Sequence, residues 1–293
     1  MHPVTKSLVQ LNTAVLLLGG TTLFAKLISL PAHAITFYRS VAGVLALAVF
    51  IKFTKTGFRL SGRSETILMI AAGALLGLHW VALFHAIQIS SVAIGILSLY
   101  TFPVITAILE PLAEKKRPRT RNLIPALIVF AGIVLITPDI RPSNPIAIGV
   151  MWGLISAGLF SVRNILVRKK LSHISGSLAM CYQMLVTCVL LVPLATPAAG
   201  LLQDNRLILL VVLGIFFTAL PHVLIVASLR NLTATTFSLI ACLHPLYSIL
   251  LAMAVLSEFP SARVLGGGAI IISMAVYESV RVSLKNNPDL DKS

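Results

Sequence analysis

The chain has 293 residues, of which 57% are hydrophobic and only 11% charged, whereas a soluble domain carries roughly 25% charged residues. That excludes an ordinary soluble globule, and the high hydrophobicity excludes disorder. Three cysteines in so long a chain also exclude a disulfide-stapled scaffold. A polytopic membrane protein remains, with a net charge of +14 still to be placed.

A bilayer core about 30 Å thick needs ~20 apolar helical residues to cross it, and ten such runs follow one another along the chain. The first is Ser7 to Ala25, continuing to about Leu30; Pro31 and His33 turn the chain into the second, His33 to Ile51. The charge-free stretch from Thr66 to Leu109 is too long for one helix. Its polar interruption Gln88-Ile89-Ser90-Ser91 divides it into Thr66 to Ile87 and Ser91 to Leu112. The fifth and sixth runs are Asn122 to Pro138 and Pro145 to Val167. Four more lie near Gly176 to Thr196, Leu207 to Leu229, Leu232 to Leu256 and Ala262 to Val280. No strand-like alternation marks a barrel, and lipid then admits only helices, whose backbone hydrogen bonds are internal. The first run is span-length and has no small-x-small cleavage site, so it reads as a retained helix rather than a cleaved signal.

Alternate loops divide the cations unevenly. With a cytoplasmic N-terminus, the inner side holds 17 of the 23 Lys and Arg: Lys6; Lys52, Lys55, Arg59 and Arg63; Lys115, Lys116, Arg117, Arg119 and Arg121; Arg168, Lys169 and Lys170; Arg230; Arg281, Lys285 and Lys292. The outer side holds Arg141, Arg206 and Arg263, and Lys26, Arg39 and Arg163 fall within spans. The positive-inside rule therefore predicts an inner or plasma membrane protein with both termini cytoplasmic. The basic balance needs no nucleic acid to explain it.

An offset of 142 to 144 residues superimposes the two halves. Phe37-Tyr38-Arg39 falls on Cys181-Tyr182-Gln183, Ser91-Val92-Ala93 on Thr233-Ala234-Thr235, and Phe102-Pro103 on His244-Pro245. Five spans per half is an odd number, so the second half enters the membrane from the opposite side. The predicted fold is all-α and integral to the membrane, ten transmembrane helices in two inverted five-helix repeats, 1–140 and 141–284, with a polar cytoplasmic tail, 285–293. Inverted repeats place a substrate site near the midplane between the halves and allow two mirror-related conformations.

Several stretches carry a family resemblance: Gly19-Gly20-Thr21-Thr22-Leu23-Phe24, Tyr38-Arg39, Ser90-Ser91-Val92-Ala93-Ile94-Gly95, Tyr100-Thr101-Phe102-Pro103, Leu109-Glu110-Pro111, then Pro245, Ser257-Glu258 and Gly266-Gly267-Gly268-Ala269. The chain resembles the drug/metabolite transporter superfamily, particularly its EamA-like members, over essentially its full length. The resemblance implies a metabolite carrier and puts the second-helix arginine, Arg39, at a characteristic position. His244 departs from the Glu-Pro common there. Glu114 lies two residues nearer Pro103 than Glu258 does to Pro245, so the two glutamates are not equated.

Ionisable groups inside spans are expensive and are the default functional candidates. Lys26 and Arg39 lie at similar depth on adjacent helices and could together attract a carboxylate; for Lys26, snorkelling of the charge to the interface is an equal reading. Arg163 lies toward the inner face and reads as a snorkelling residue. Histidine changes charge near neutral pH, so His79, His222 and His244 are candidates for proton coupling, with Pro221 giving His222 a rival reason in helix bending. His85 falls in the same span as His79. Glu110 reads as the sole acid well inside a span, paired with the basic stretch Lys115 to Arg121 or carrying a proton. Pro103 and Pro245 remove a backbone hydrogen bond and favour hinges. Trp80, Tyr100, Thr101, Tyr182, Gln183 and Ser238, with Tyr38, complete a candidate pocket for a modest organic solute. Gly73-xxx-Gly77 and Gly266-Gly267-Gly268 permit close helix contact within one chain or in a homodimer. Cys181, Cys188 and Cys242 read as packing residues. No metal-ligand spacing or cofactor motif is present.

These features predict a secondary transporter that exports an amino-acid-like or carboxylate-bearing metabolite by alternating access. An integral-membrane enzyme is the rival class, but no catalytic motif or acid pair supports it. A channel lacks its filter-like glycine loop or acidic ring.

Overall fold

The computed structural model describes residues 3–55, 57–58, 60, 62–116, 123–137, 139, 141, 143–195, 205–228, 231–232 and 234–285. Arg59, Arg117, Arg119, Arg121, Arg230 and nearly all of the polar tail, including Lys292, lie outside the described residues. Among those described, the chain is all α, with no strand.

The ten apolar runs become ten helical rods. We label them α1 (Pro3–Thr21 and Phe24–Leu27), α2 (Ala32–Thr54), α3 (Arg63–Ile89), α4 (Val92–Leu99 and Phe102–Ala113), α5 (Leu123–Ile136), α6 (Pro145–Lys170), α7 (Gly176–Leu191, closing in the 3-10 turn Val192–Leu194), α8 (Arg206–Gly214, the π-turn Ile215–Ala219 and Leu220–Ser228), α9 (Ala234–Ala241 and His244–Leu256) and α10 (Ala262–Lys285). Among the described residues, seven of the rods are long and apolar enough to cross a membrane. Side chains such as Phe53, Leu127, Phe130 and Val189 stand on the outer surface, as a lipid-facing shell requires. The protein is an integral membrane protein.

Rod ends follow local chemistry. Ser91 caps α4 by accepting from the Ile94 N–H at 3.2 Å, and Asn144 caps α6 by accepting from Ile146 N–H at 2.9 Å; each satisfies a donor that a helix start leaves open. Pro145 sits in the first turn, where its missing N–H costs nothing. Lys55 and Ser257 close α2 and α9 in the left-handed region, at φ 53° and 54°.

Inside the bundle, α2 lies against α7 and α8, and α3 against α6 and α7. α1 packs on α8 and α9, α6 on α3 and α4, and α5 on α10. Glycines permit the closest crossings. A Cβ on Gly73 would lie 2.9 Å from the Gln183 carbonyl, and one on Gly77 2.9 Å from the Thr187 methyl. Gly267 meets Gly132 and Ile136 of α5. Both predicted glycine faces are thus occupied within one chain.

Two rods are broken at matching places. In α4 the helix stops at Leu99 and restarts at Phe102; in α9 it stops at Ala241 and restarts at His244. Pro103 and Pro245 each fall in the first turn of the restarted segment. A proline ring clashes with the carbonyl four residues back and donates no hydrogen bond. The predicted hinges are therefore full interruptions rather than bends of a continuous helix. Pro221 acts differently in α8. The Phe217 carbonyl, four residues before it, accepts the Thr21 hydroxyl of α1 at 2.7 Å.

Candidate functional site

A cavity of about 500 Å³ lies where α1, α2, α3, α4, α6, α8 and α9 converge, around the two helix breaks. Of the residues expected from sequence, Arg39, His79, Trp80, Tyr100, His222, His244 and Pro103 line it. Arg163, Asn164, Phe84, Phe102, Phe160, Thr21 and Thr22 join them.

Arg39 is 1% exposed. Its guanidinium carbon lies 3.9 Å from the centre of the Trp80 ring and 4.7 Å from that of Phe84. Trp80 and Phe84 are one helical turn apart on α3, so both faces point the same way. Cation–π contact of this kind is worth ~2 kcal/mol when desolvated, but it supplies no hydrogen bond. The Nε and Nη2 groups of Arg39 are buried without a hydrogen-bond partner. Buried charges are ordinarily paired, so a planar donor fork left open beside a cavity is suited to a carboxylate.

Arg163 corrects the snorkelling expectation. It turns inward, donating from Nε to Gln183 Oε1 at 2.8 Å and from Nη1 to Asn164 Oδ1 at 3.0 Å. Neutral amides hold it within the bundle, so its stem has no need to reach the interface. Gln183 is fully buried and does not line the cavity; it positions Arg163 instead.

The histidines are set by their neighbours. His79 Nδ1 is 3.1 Å from the Ser156 carbonyl and 2.7 Å from its hydroxyl, and the ring stacks on Phe160 at 4.7 Å. His222 Nδ1 donates to the Thr218 carbonyl at 2.6 Å. His244 lies beside Tyr100, whose hydroxyl donates to the Ala241 carbonyl at 2.8 Å and receives the His244 Nδ1–H at 3.1 Å. Tyr100 thereby ties the break in α4 to the break in α9. His85 instead meets Trp152 edge to face.

Other candidates lie elsewhere. Lys26 does not join Arg39: its ammonium is 3.7 Å from Glu258 Oε1 and donates to the Ser90 carbonyl at 3.0 Å. The short turn Thr22–Leu23 redirects α1 before Lys26 and carries it away from the cavity. Glu258 Oε2 also accepts from the Val92 N–H at 2.9 Å, at the start of α4. The Tyr182 hydroxyl donates to the Phe58 carbonyl, Thr101 donates to Ser98 O, and Tyr38 packs on Phe37; none lines the cavity. Pro245 does not line the cavity, although its neighbour His244 does. The Ser238 side chain lies outside the described residues.

Glu110 pairs with Arg168 on α6, not with the stretch after Lys115. Nor is it the sole acid within a span. Glu278 lies at the edge of the run to Val280, and because the helix α10 continues to Lys285 it stands well inside it, 1% exposed, with Arg281 Nη1 at 2.6 Å. At the end of α4, Glu114 accepts from Lys169 at 2.8 Å and Lys116 at 3.1 Å, and the Lys169 ammonium, then Lys116, holds its carboxyl down to about 2. Among the described residues, no cluster could hold a metal ion.

Helical spacing could have revealed Phe84, four residues after Trp80. The charge of Arg163 marked it within a span, but nothing in the sequence gave its direction, which depends on Gln183 of the next rod.

A bundle of membrane-crossing helices with broken rods thus surrounds a cationic, aromatic-walled cavity. The chain matches the EamA-like transporter family over residues 6–137 and 147–277, and it belongs to that family. A relative described as an uncharacterized transporter, from Clostridium kluyveri (strain ATCC 8527 / DSM 555 / NBRC 12016 / NCIMB 10680 / K1), is 21% identical over 167 residues, 54% of this chain and 54% of the relative. The chain thus spans about half the length of that curated relative. A solved structure titled only "Crystal structure of protein" superposes with a TM-score of 0.62 at 15% identity, covering 94% of this chain and 98% of the other; that likeness concerns the fold alone. Family membership points to a membrane transporter rather than an enzyme.

Proposed function

We propose that the protein is a secondary transporter that moves a carboxylate-bearing organic metabolite across an inner or plasma membrane by alternating access, in the direction of export. The buried Arg39 fork, with Nε and Nη2 unpartnered beside the cavity, carries the reading. A carboxylate supplies the two acceptors that such a fork lacks, and Trp80 and Phe84 keep it aimed.

Two inverted repeats, 1–140 and 141–284, with both termini cytoplasmic, account for the packing. Under that relation the α1–α8 contact corresponds to α6–α3, and α1–α9 to α6–α4, while α2–α7 and α5–α10 are each their own counterpart; all of these contacts are present. The ion pairs add independent support. Lys26 and Lys169 are 143 residues apart, and Glu114 and Glu258 are 144 apart. Counting from the prolines puts the glutamates out of register, but their lysine partners bring them into it. One latch, Lys26–Glu258, lies at the start of α4, and the other, Lys169–Glu114, at its end. A 22-residue rod separates them by ~33 Å. Latches at opposite ends suit gates that open in turn. His79, His222 and His244 are the proposed proton-coupling groups, and Glu110 with Arg168 joins the second latch.

Counterflow in liposomes tests the reading. Purified protein should exchange labelled carboxylates saturably, Arg39→Gln should abolish exchange, and preferential transport of organic cations would overturn it. Comparison of extracellular metabolites from cells with and without the protein tests direction.

A further inference from the structure

Arg39 is one of two guanidinium groups on the wall of the same cavity, and Arg163 is the other. Arg163 gives its Nε and Nη1 donors to amide oxygens of Gln183 and Asn164. Those partners are neutral, so its charge is oriented but not compensated. Among the described residues the cavity wall contains no Asp or Glu; its polar groups are histidines, threonines, Tyr100 and Asn164. Two uncompensated cations in a space of low dielectric repel each other. Whatever occupies the space is selected by that field.

Resting on the carrier reading above, we infer that the site is built for an organic dianion, a molecule with two oxyanion groups on an apolar body, one on Arg39 and the other on Arg163. An amino acid matches one arginine with its carboxylate and presents its ammonium where no carboxylate receives it. A monocarboxylate leaves the second cation bare. A dicarboxylate satisfies both, and the aromatic surface of Phe102, Phe160 and Phe84 accepts the chain between them. The range of candidate solutes thus narrows from amino-acid-like compounds to dianions, and Arg163 becomes the residue that determines specificity.

Trp80 reports directly, since it lies against Arg39. The chain has one other tryptophan, Trp152, which does not line the cavity, so Trp152→Phe leaves Trp80 as sole emitter in the full-length protein. Straight-chain dicarboxylates of increasing length, the matched monocarboxylates, leucine and a phosphorylated carboxylate are titrated while its fluorescence is followed. A charge-assisted pair is worth roughly ten- to hundredfold in affinity. The best dicarboxylate should bind tighter than its matched monocarboxylate by that factor. Arg163→Gln should reduce the ratio to about one with monocarboxylate affinity unchanged, Arg163→Lys should retain part of it, and Arg39→Gln should weaken both ligands. Competition by the phosphorylated carboxylate supports the two-oxyanion site and identifies phosphate as a permitted second group. Equal affinity for leucine or the monocarboxylate, no fluorescence response to any dicarboxylate, or a ratio unchanged in a folded Arg163→Gln protein overturns the inference. If the ratio holds but labelled dicarboxylate does not exchange in liposomes, the carrier reading fails and the dianion site stands.

Discussion

Glu258→Gln should open the gate at the Lys26 end by a measurable factor. The substitution keeps the side chain's size and removes its charge. Lys26 and Glu258 are 27% and 25% exposed and 3.7 Å apart, so solvent screens them, and such a pair contributes about 0.2–1 kcal/mol. Glu258 also faces the N-terminus of α4 through the Val92 N–H, where a negative charge adds about 0.3–1 kcal/mol. Together these amount to about 0.5–2 kcal/mol, or a two- to thirtyfold shift between closed and open forms at that end. Cys242 lines the cavity, whereas Cys181 and Cys188 do not. In a Cys181→Ser, Cys188→Ser background it becomes the sole thiol. A membrane-impermeant thiol reagent added to oriented vesicles should then label Cys242 faster from the Lys26 face in Glu258→Gln and in Lys26→Met, and the double variant should show less than the sum. Unchanged labelling, or acceleration from the Glu114 face alone, would refute the reasoning.

Three further outcomes follow from packing and charge. Gly214→Ala should lower stability by about 1–3 kcal/mol, the range for overpacking, since its Cβ meets the Ala42 methyl at 2.6 Å and crowds the Arg39 carbonyl; Gly266→Ala, whose Cβ would lie 3.6 Å from Leu135, is the control in thermal unfolding of detergent-solubilised protein. Thr21→Val should cost about 1–3 kcal/mol by stranding the Phe217 carbonyl, and Pro221→Ala, which restores an N–H in α8, should recover part of it in a double-mutant cycle. Glu114 has its carboxyl lowered from 4.5 to about 2 by Lys169 and Lys116, so its contribution is complete above its unfolded value and disappears as pH falls through the folded one. The difference in Tm between wild type and Glu114→Gln should therefore be constant down to about pH 5, shrink toward about pH 2, and be reduced by salt.

Most of the architecture was legible in the sequence because the bilayer imposes a simple rule. Backbone groups have no water partner in lipid, so each apolar run must close its own hydrogen bonds, and the ten runs became ten rods with ends at Pro31, Ser91, Pro145 and Ser175 or within a turn of them. Proline chemistry located the interruptions as well, since Pro103 and Pro245 cannot continue a helix from the preceding turn. The site was legible in part: a buried cation is expensive wherever it falls, which singled out Lys26, Arg39 and Arg163 together.

Hydropathy alone could not sort those three. A span's composition shows that a charge is present, but its surroundings depend on which rods lie beside it and how each is rotated. The turn at Thr22–Leu23 sends Lys26 to Glu258, Trp80 and Phe84 hold Arg39 against the cavity, and Gln183 on the next rod draws Arg163 inward. By itself the sequence determined the number of rods, their interruptions and the chemical types available, because those follow from local backbone and solvation physics. Tertiary structure alone decided which charges compensate one another and which are left facing a cavity, because that depends on contacts between residues far apart in the chain.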